Sequence, residues 1–533
     1  MTPKKIFLFV TLVALLSATA ARAQEKAGAL EKIGTVHFPV SCSPAAQQEF
    51  TRAVALLHSF WFDAGSHAFG VVTQLDPGCA MGHWGTAMIL LGNPLAGPPT
   101  PKALQEGWAA VERAKAAGAK TQRERDYIAA IEAFYKDSDT VDHRTRALAY
   151  EKAMEQVYLR NPEDREAAIF HALALNITAL PTDKTYANQL KAASNLEKVF
   201  AEQPNHPGVA HYLIHSFDYP PIAGRGLSAA RRYAGIAPSA PHALHMPSHI
   251  FTRQGFWQES IESNRASAAA AKNHFDQLHA MDYLAYAYLQ GGQDLAARRV
   301  LDDARAIQKI NPEHFVTGYA LAAIPSRVVL ERRRWSDAAS LTLSPSEFPW
   351  SRFPQSEAVL VFARALGAAR SGDAAAAKKD IDRLETLRDA LTAAKQGYWA
   401  EQAEIQRQVA SAWMARAEGK NEEALRLMRA AADREDATEK HPVTPGPIVP
   451  ARELLGEMLL ELGNPGQALK EFEASHRVEP NRLKGLYGAA KAAELSGDLG
   501  KAKVNYGQLV ALCARADTER PELAEARAFL AKN

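Results

Sequence analysis

Two histidine pairs, His211 with His215 and His245 with His249, are each spaced i, i+4, and 34 residues separate each member of the first pair from its counterpart in the second. On a helix, that spacing puts both imidazoles on one face, where two ring nitrogens can meet one ion. Asp282 follows at a corresponding place, so His211, His215, His245, His249 and Asp282 together predict a shell for one transition-metal ion. Neutral imidazoles with a carboxylate suit zinc or copper first, and the lack of a nearby cysteine argues against a soft thiolate site. His242, His279, Tyr286, Asp218 and His58 are expected to line the same groove or support the ligands. Asp218 or Asp282 would serve as the acceptor that sets a histidine tautomer. Turnover would need an open coordination position and a general base, for which Asp218, Asp282 and Tyr286 stand nearest. The same histidines also fit two plainer roles, a polar groove that hydrogen-bonds a peptide and a hydrogen-bonded network. Histidine is a minor residue, 17 of 533, so five at recurring positions weigh toward the metal.

These residues lie in helical sequence. Stretches rich in Ala, Leu, Glu and Lys are punctuated by Gly and Pro, with few alternating β-branched runs, which predicts an all-α protein. The stretch from Leu454 to Pro480 carries Leu455, Gly456, Gly463, Ala468, Phe472 and Pro480, and Gly497, Ala502 and Tyr506 repeat its pattern 34 residues on. This pattern resembles the tetratricopeptide repeat (TPR) family. Weaker units with Gly292 and Ala297, Gly372 and Ala377, and Gly419 and Ala424 extend the resemblance over most of residues 46–530. It implies a superhelix of helical hairpins, an α-solenoid, in which positions 2, 5 and 9 of each leading helix line the concave groove.

Counting from Pro204 and Pro238, which are also 34 apart, places His211 and His215 at positions 5 and 9, and His242, His245 and His249 at positions 2, 5 and 9. Gly292 and Ala297 set His279, Asp282 and Tyr286 at the same three positions one repeat later. At ~100° per residue these positions form a stripe facing away from the packing positions. Pro247, inside the second histidine helix, predicts a bend there. The segments HALHMPSHIF and EKHPVTPGPIVPARELLGEM are similar to those of a group of exported bacterial TPR proteins, a likeness that implies no particular reaction.

Met1–Ala23 reads as a secretory signal, with Lys4 and Lys5, an apolar run from Ile6 to Leu16, and a small-x-small cleavage site ending at Ala23. A periplasmic or secreted chain is expected. Residues 24–45 form an N-terminal extension, 46–339 a TPR-like array with the histidine groove, 340–356 an irregular linker, and 357–533 a second array. The proline-stiffened loop 441–450 in that second array is placed to lie across the groove. Export permits a disulfide, for which Cys42 and Cys79 are the candidates, against two buried thiols. Lys and Arg total 62 against 60 Asp and Glu, and 47% of residues are hydrophobic, so no nucleic-acid surface is indicated and no run suits a membrane span. The basic run Arg332 to Arg334 reads as a solvated helix face. Gly224-Arg225-Gly226-Leu227-Ser228-Ala229 matches a dinucleotide pattern but follows a helix and a Pro-Pro turn, so no nucleotide cofactor is expected. The partner expected of such a fold is a protein segment, either a peptide or a helix, in the groove.

Overall fold

The structure is a computed structural model and describes residues 31–532, so the Met1–Ala23 leader lies outside the described residues. The described residues are helices joined by turns and loops, with no strand among them. Each helix packs chiefly on its neighbours in sequence, the arrangement that short connections between antiparallel helices impose. The result is an all-α superhelix of helical hairpins. No helix among the described residues is long and apolar enough to cross a membrane.

The repeat residues do the work their types suggest. Gly463 and Gly497 turn the chain between paired helices at φ +75° and +82°, a region where a side chain would be strained. Phe472 is fully buried between helices, and a Cβ on Gly456 or Gly488 would stand 2.8 or 2.3 Å from its ring. Glycine there lets three helices close on one aromatic ring, whose burial contributes roughly 1.5–3 kcal/mol.

Two helix starts bear on the histidines. Pro207 opens the helix Pro207–Phe217, and Pro241 opens Pro241–His245, each in the first turn where the missing N–H costs nothing. At Met246 the second helix breaks and restarts as Pro247–Arg253, so the expected bend is a division into two short helices. Asn273 caps the third helix, His274–Gln290, by accepting from the Asp276 N–H.

Cys42 and Cys79 form a disulfide, with Cα atoms 5.0 Å apart, tying the entry of helix Pro44–His58 to the start of helix Ala80–Ile89. Cys513 is buried and free. One apolar core runs from Trp257 to Phe529, and Phe348 and Trp350 belong to it, so segment 340–356 is packed into a core continuous on both sides. Arg333 departs from the solvated face expected of it: it is largely enclosed and pairs with Glu457 and Glu453.

The C-terminal repeats return against the middle of the chain. Trp257 Nε1 donates to the Asn481 carbonyl at 2.7 Å, and the Leu483 N–H donates to Gln290 Oε1 at 3.0 Å. Fully buried Arg482 pairs with Glu453 and Glu331 and donates to the Tyr286 hydroxyl. This return brings residues 440–447 over the histidine face.

Candidate metal centre

The histidines fall into two sets of three. His211 and His215 leave one face of helix Pro207–Phe217 and meet His242 from the next repeat, with a ring nitrogen of each within 4.8 Å of the others. His245 and His249 meet His279 in the same way. Each set is therefore an i, i+4 pair completed by the position 2 histidine of the following repeat. All six are buried, between 0% and 7% exposed.

Hydrogen bonds to the far sides of the rings settle where the protons lie. His211 Nδ1 stands 2.6 Å from the His58 carbonyl, an acceptor only, so Nδ1 carries the proton and Nε2 a lone pair. That lone pair lies 3.1 Å from His215 Nε2 and 3.2 Å from His242 Nε2. In the second set, the Asn264 amide nitrogen donates to the Ser260 carbonyl at 2.8 Å, which turns its oxygen to His245 Nδ1 at 2.7 Å. His249 Nδ1 donates to Asp218 at 2.9 Å. Both Nδ1 atoms thus hold protons, while His245 Nε2 and His249 Nε2 face each other at 3.0 Å. Two bare lone pairs at that distance repel unless a cation lies between them.

A proton is a poor candidate for that cation. Burial lowers the affinity of all six rings for a second proton, and for His211, His215, His242, His245 and His279 the neighbouring imidazoles add to it. His249 is lowered too, by burial, even with the Asp218 carboxylate beside it. For Asp218 itself burial opposes the charge, but Lys440, Arg253 and the His249 N–H outweigh it and hold the carboxyl well below its usual range. Lys440 Nζ lies 2.6 Å and Arg253 Nε 3.0 Å from its oxygens.

The other expected residues take different places. Asp282 stands outside both sets: Arg327 Nε holds its carboxylate at 2.8 Å, and the same guanidinium donates to the carbonyls of Gly446 and Pro447. Tyr286 is engaged by Arg482 and Glu479, away from the imidazoles. Asp218 supports His249, and His58 supports His211 through its carbonyl. The His58 ring belongs to a third buried group, in which Glu166 bridges His58 and His206 at 2.9 and 2.8 Å. Burial disfavours charge on Glu166, yet His206 and His58 lower its carboxyl to about 2. Sequence spacing gave no signal for Asn264 or Glu166, because neither lies on the histidine stripe.

The groove over the histidines is filled by the chain's own loop. Tyr283 donates to the Thr444 carbonyl at 2.8 Å, and Lys440 reaches Asp218 beneath. A cavity of about 230 Å³ remains beside His215, lined also by Asn176, Tyr219, Tyr398 and Lys440. A larger one of about 380 Å³ adjoins it, sharing Tyr398, Glu439 and Lys440.

No family model matches the chain, and no curated protein matches it. Among solved structures, a human IFIT1 dimer with PPP-AAAA aligns at a TM-score of 0.39 and 13% identity, over 78% of this chain and 87% of that one. Naa15/Naa10 bound to HypK-THB aligns at 0.25 and 12%, over 91% and 73%. Likenesses of this size carry no argument about what this chain binds.

Proposed function

We propose that this chain is an exported helical-repeat protein whose buried histidines bind a transition metal, zinc or copper first. The observation that carries the reading is the pair of lone pairs on His245 and His249, 3.0 Å apart with both Nδ1 protons committed elsewhere. Two nitrogens bound at about 2.0–2.1 Å to one tetrahedral ion stand ~3.3 Å apart, close to the 3.1, 3.2 and 3.0 Å of the pairs His211–His215, His211–His242 and His245–His249. Acceptors behind the ligating rings, here a carbonyl, an amide oxygen and a carboxylate, are the usual means of holding a metal-binding tautomer. A peptide in the groove has less support at this face, since residues 440–447 occupy it.

The test is elemental analysis of the mature protein, purified from an exported compartment without a histidine tag, beside the His211→Ala/His245→Ala double variant. Near-stoichiometric metal in the first and none in the second is the expected result. Metal in neither, with zinc and copper titrations also silent, overturns the reading.

A further inference from the structure

We infer that the six histidines hold two copper ions side by side, one in each set, and that the pair takes dioxygen between them. This deepens the metal-binding reading and rests on it.

One ion cannot use all six rings. Within a set the three ligand nitrogens all lie within 4.8 Å of one another, and the six together do not form one such group. Each set supplies three donors by itself, in one pattern: two histidines at i, i+4 and the position 2 histidine of the next repeat. The 34-residue spacing of His211 to His245 and of His215 to His249 shows that the site duplicates with the fold. The duplication stops after the second set because the next repeat carries Asp282 and Tyr286 at these positions, and both are engaged by arginine.

Three protein ligands per ion leave a coordination position open, the arrangement that binds a reactant. The two sets abut through the His215–His249 and His242–His245 ring pairs, so the two ion sites would be neighbours. Metal pairs with ions about 3.5–4 Å apart commonly hold an oxygen ligand between them. The cavity beside His215 gives a small molecule a way in.

The donor set points to copper. All six ligands are neutral imidazoles, and the nearest carboxylate, Asp218, is already neutralised by Lys440 and Arg253. Two divalent ions would bring four uncompensated charges into a buried site, which desolvation opposes. Two cuprous ions bring two, and copper leads the divalent order for nitrogen donors once oxidised. The electrons then balance: each cuprous ion gives up one electron, and dioxygen gains two to become a bound peroxide, with no bond to the protein formed or broken.

The test uses the whole mature chain, loaded anaerobically with Cu(I), washed, assayed for copper and then exposed to air. Two coppers per chain, uptake of one dioxygen per two coppers, and an electron paramagnetic resonance signal far below the copper content are expected, because bridged cupric ions couple. The His215→Ala/His242→Ala variant should hold one copper and, once oxidised with ferricyanide, give a spin count equal to its copper content. If that variant does not fold, the wild-type spin count decides. One copper per chain overturns the pair but leaves metal binding standing. Two coppers with a full spin count, or with no oxygen uptake, overturn the shared ligand. No copper at all removes both this inference and the reading beneath it.

Discussion

Asn264→Ala isolates the role of a residue that touches no candidate ion. Asn264 is fully buried, and its amide oxygen holds the Nδ1 proton of His245 at 2.7 Å. Without that acceptor the His245 proton is free to move to Nε2, which converts a metal ligand into a donor. Loss of such a supporting acceptor costs about 10–100-fold in metal affinity, or ~1.4–2.8 kcal/mol. The loss should fall on the set of His245, His249 and His279 alone, because His211 is held by the His58 carbonyl instead. Folding stability should also drop by roughly 1–3 kcal/mol, since His245 Nδ1 loses its partner and the Ser260 carbonyl its side-chain donor. The assay is competition for Cu(I) against a chromogenic chelator, read beside urea unfolding of the metal-free protein. Weaker affinity in one class of site, with the other unchanged, is the expected result. An unchanged affinity in both classes, alongside the loss of stability, would refute the tautomer argument and leave Asn264 a structural residue.

Acid should weaken the metal-free fold. The six buried histidines have affinities for a second proton below the unfolded value of about 6.5, so the unfolded chain binds more protons just below that pH. Their contribution is complete above about pH 6.5 and falls as pH drops, by ~1.4 kcal/mol per pH unit for each ring that stays neutral, which urea midpoints at pH 7.5 and 5.5 will measure. Asp282→Asn should leave metal content unchanged while costing about 3–5 kcal/mol of stability, because it strands the buried Arg327 charge; loss of metal with stability intact would restore Asp282 as a ligand. Replacing Cys42 and Cys79 by serine opens a loop closed across a separation of 37 residues and should lower stability by about 3–4 kcal/mol, and an unchanged thermal midpoint would contradict that.

Local chemistry in the sequence was enough for the class of fold and for the faces of its helices. Glycine at the turns and at the close approaches, and proline at the helix starts, each act within one or two turns of chain. The 34-residue spacing of His211, His215, His245 and His249 carries straight into space, because each repeat is laid on the last by nearly the same operation. Which histidines share a nitrogen shell was decided only by the tertiary structure. The offset between repeats draws the position 2 residue of one helix toward positions 5 and 9 of the helix before it, so His242 and His279 complete the sets and Asp282 does not. Asp282 turns instead to Arg327, 45 residues away, because a buried carboxylate needs a cation and the returning loop placed its carbonyls on the same guanidinium. The closure of the groove, through Lys440 on Asp218 and Arg482 on Tyr286, depends on residues about 200 positions apart. No periodicity in the chain encodes such contacts, since they follow from the accumulated curvature of the whole superhelix.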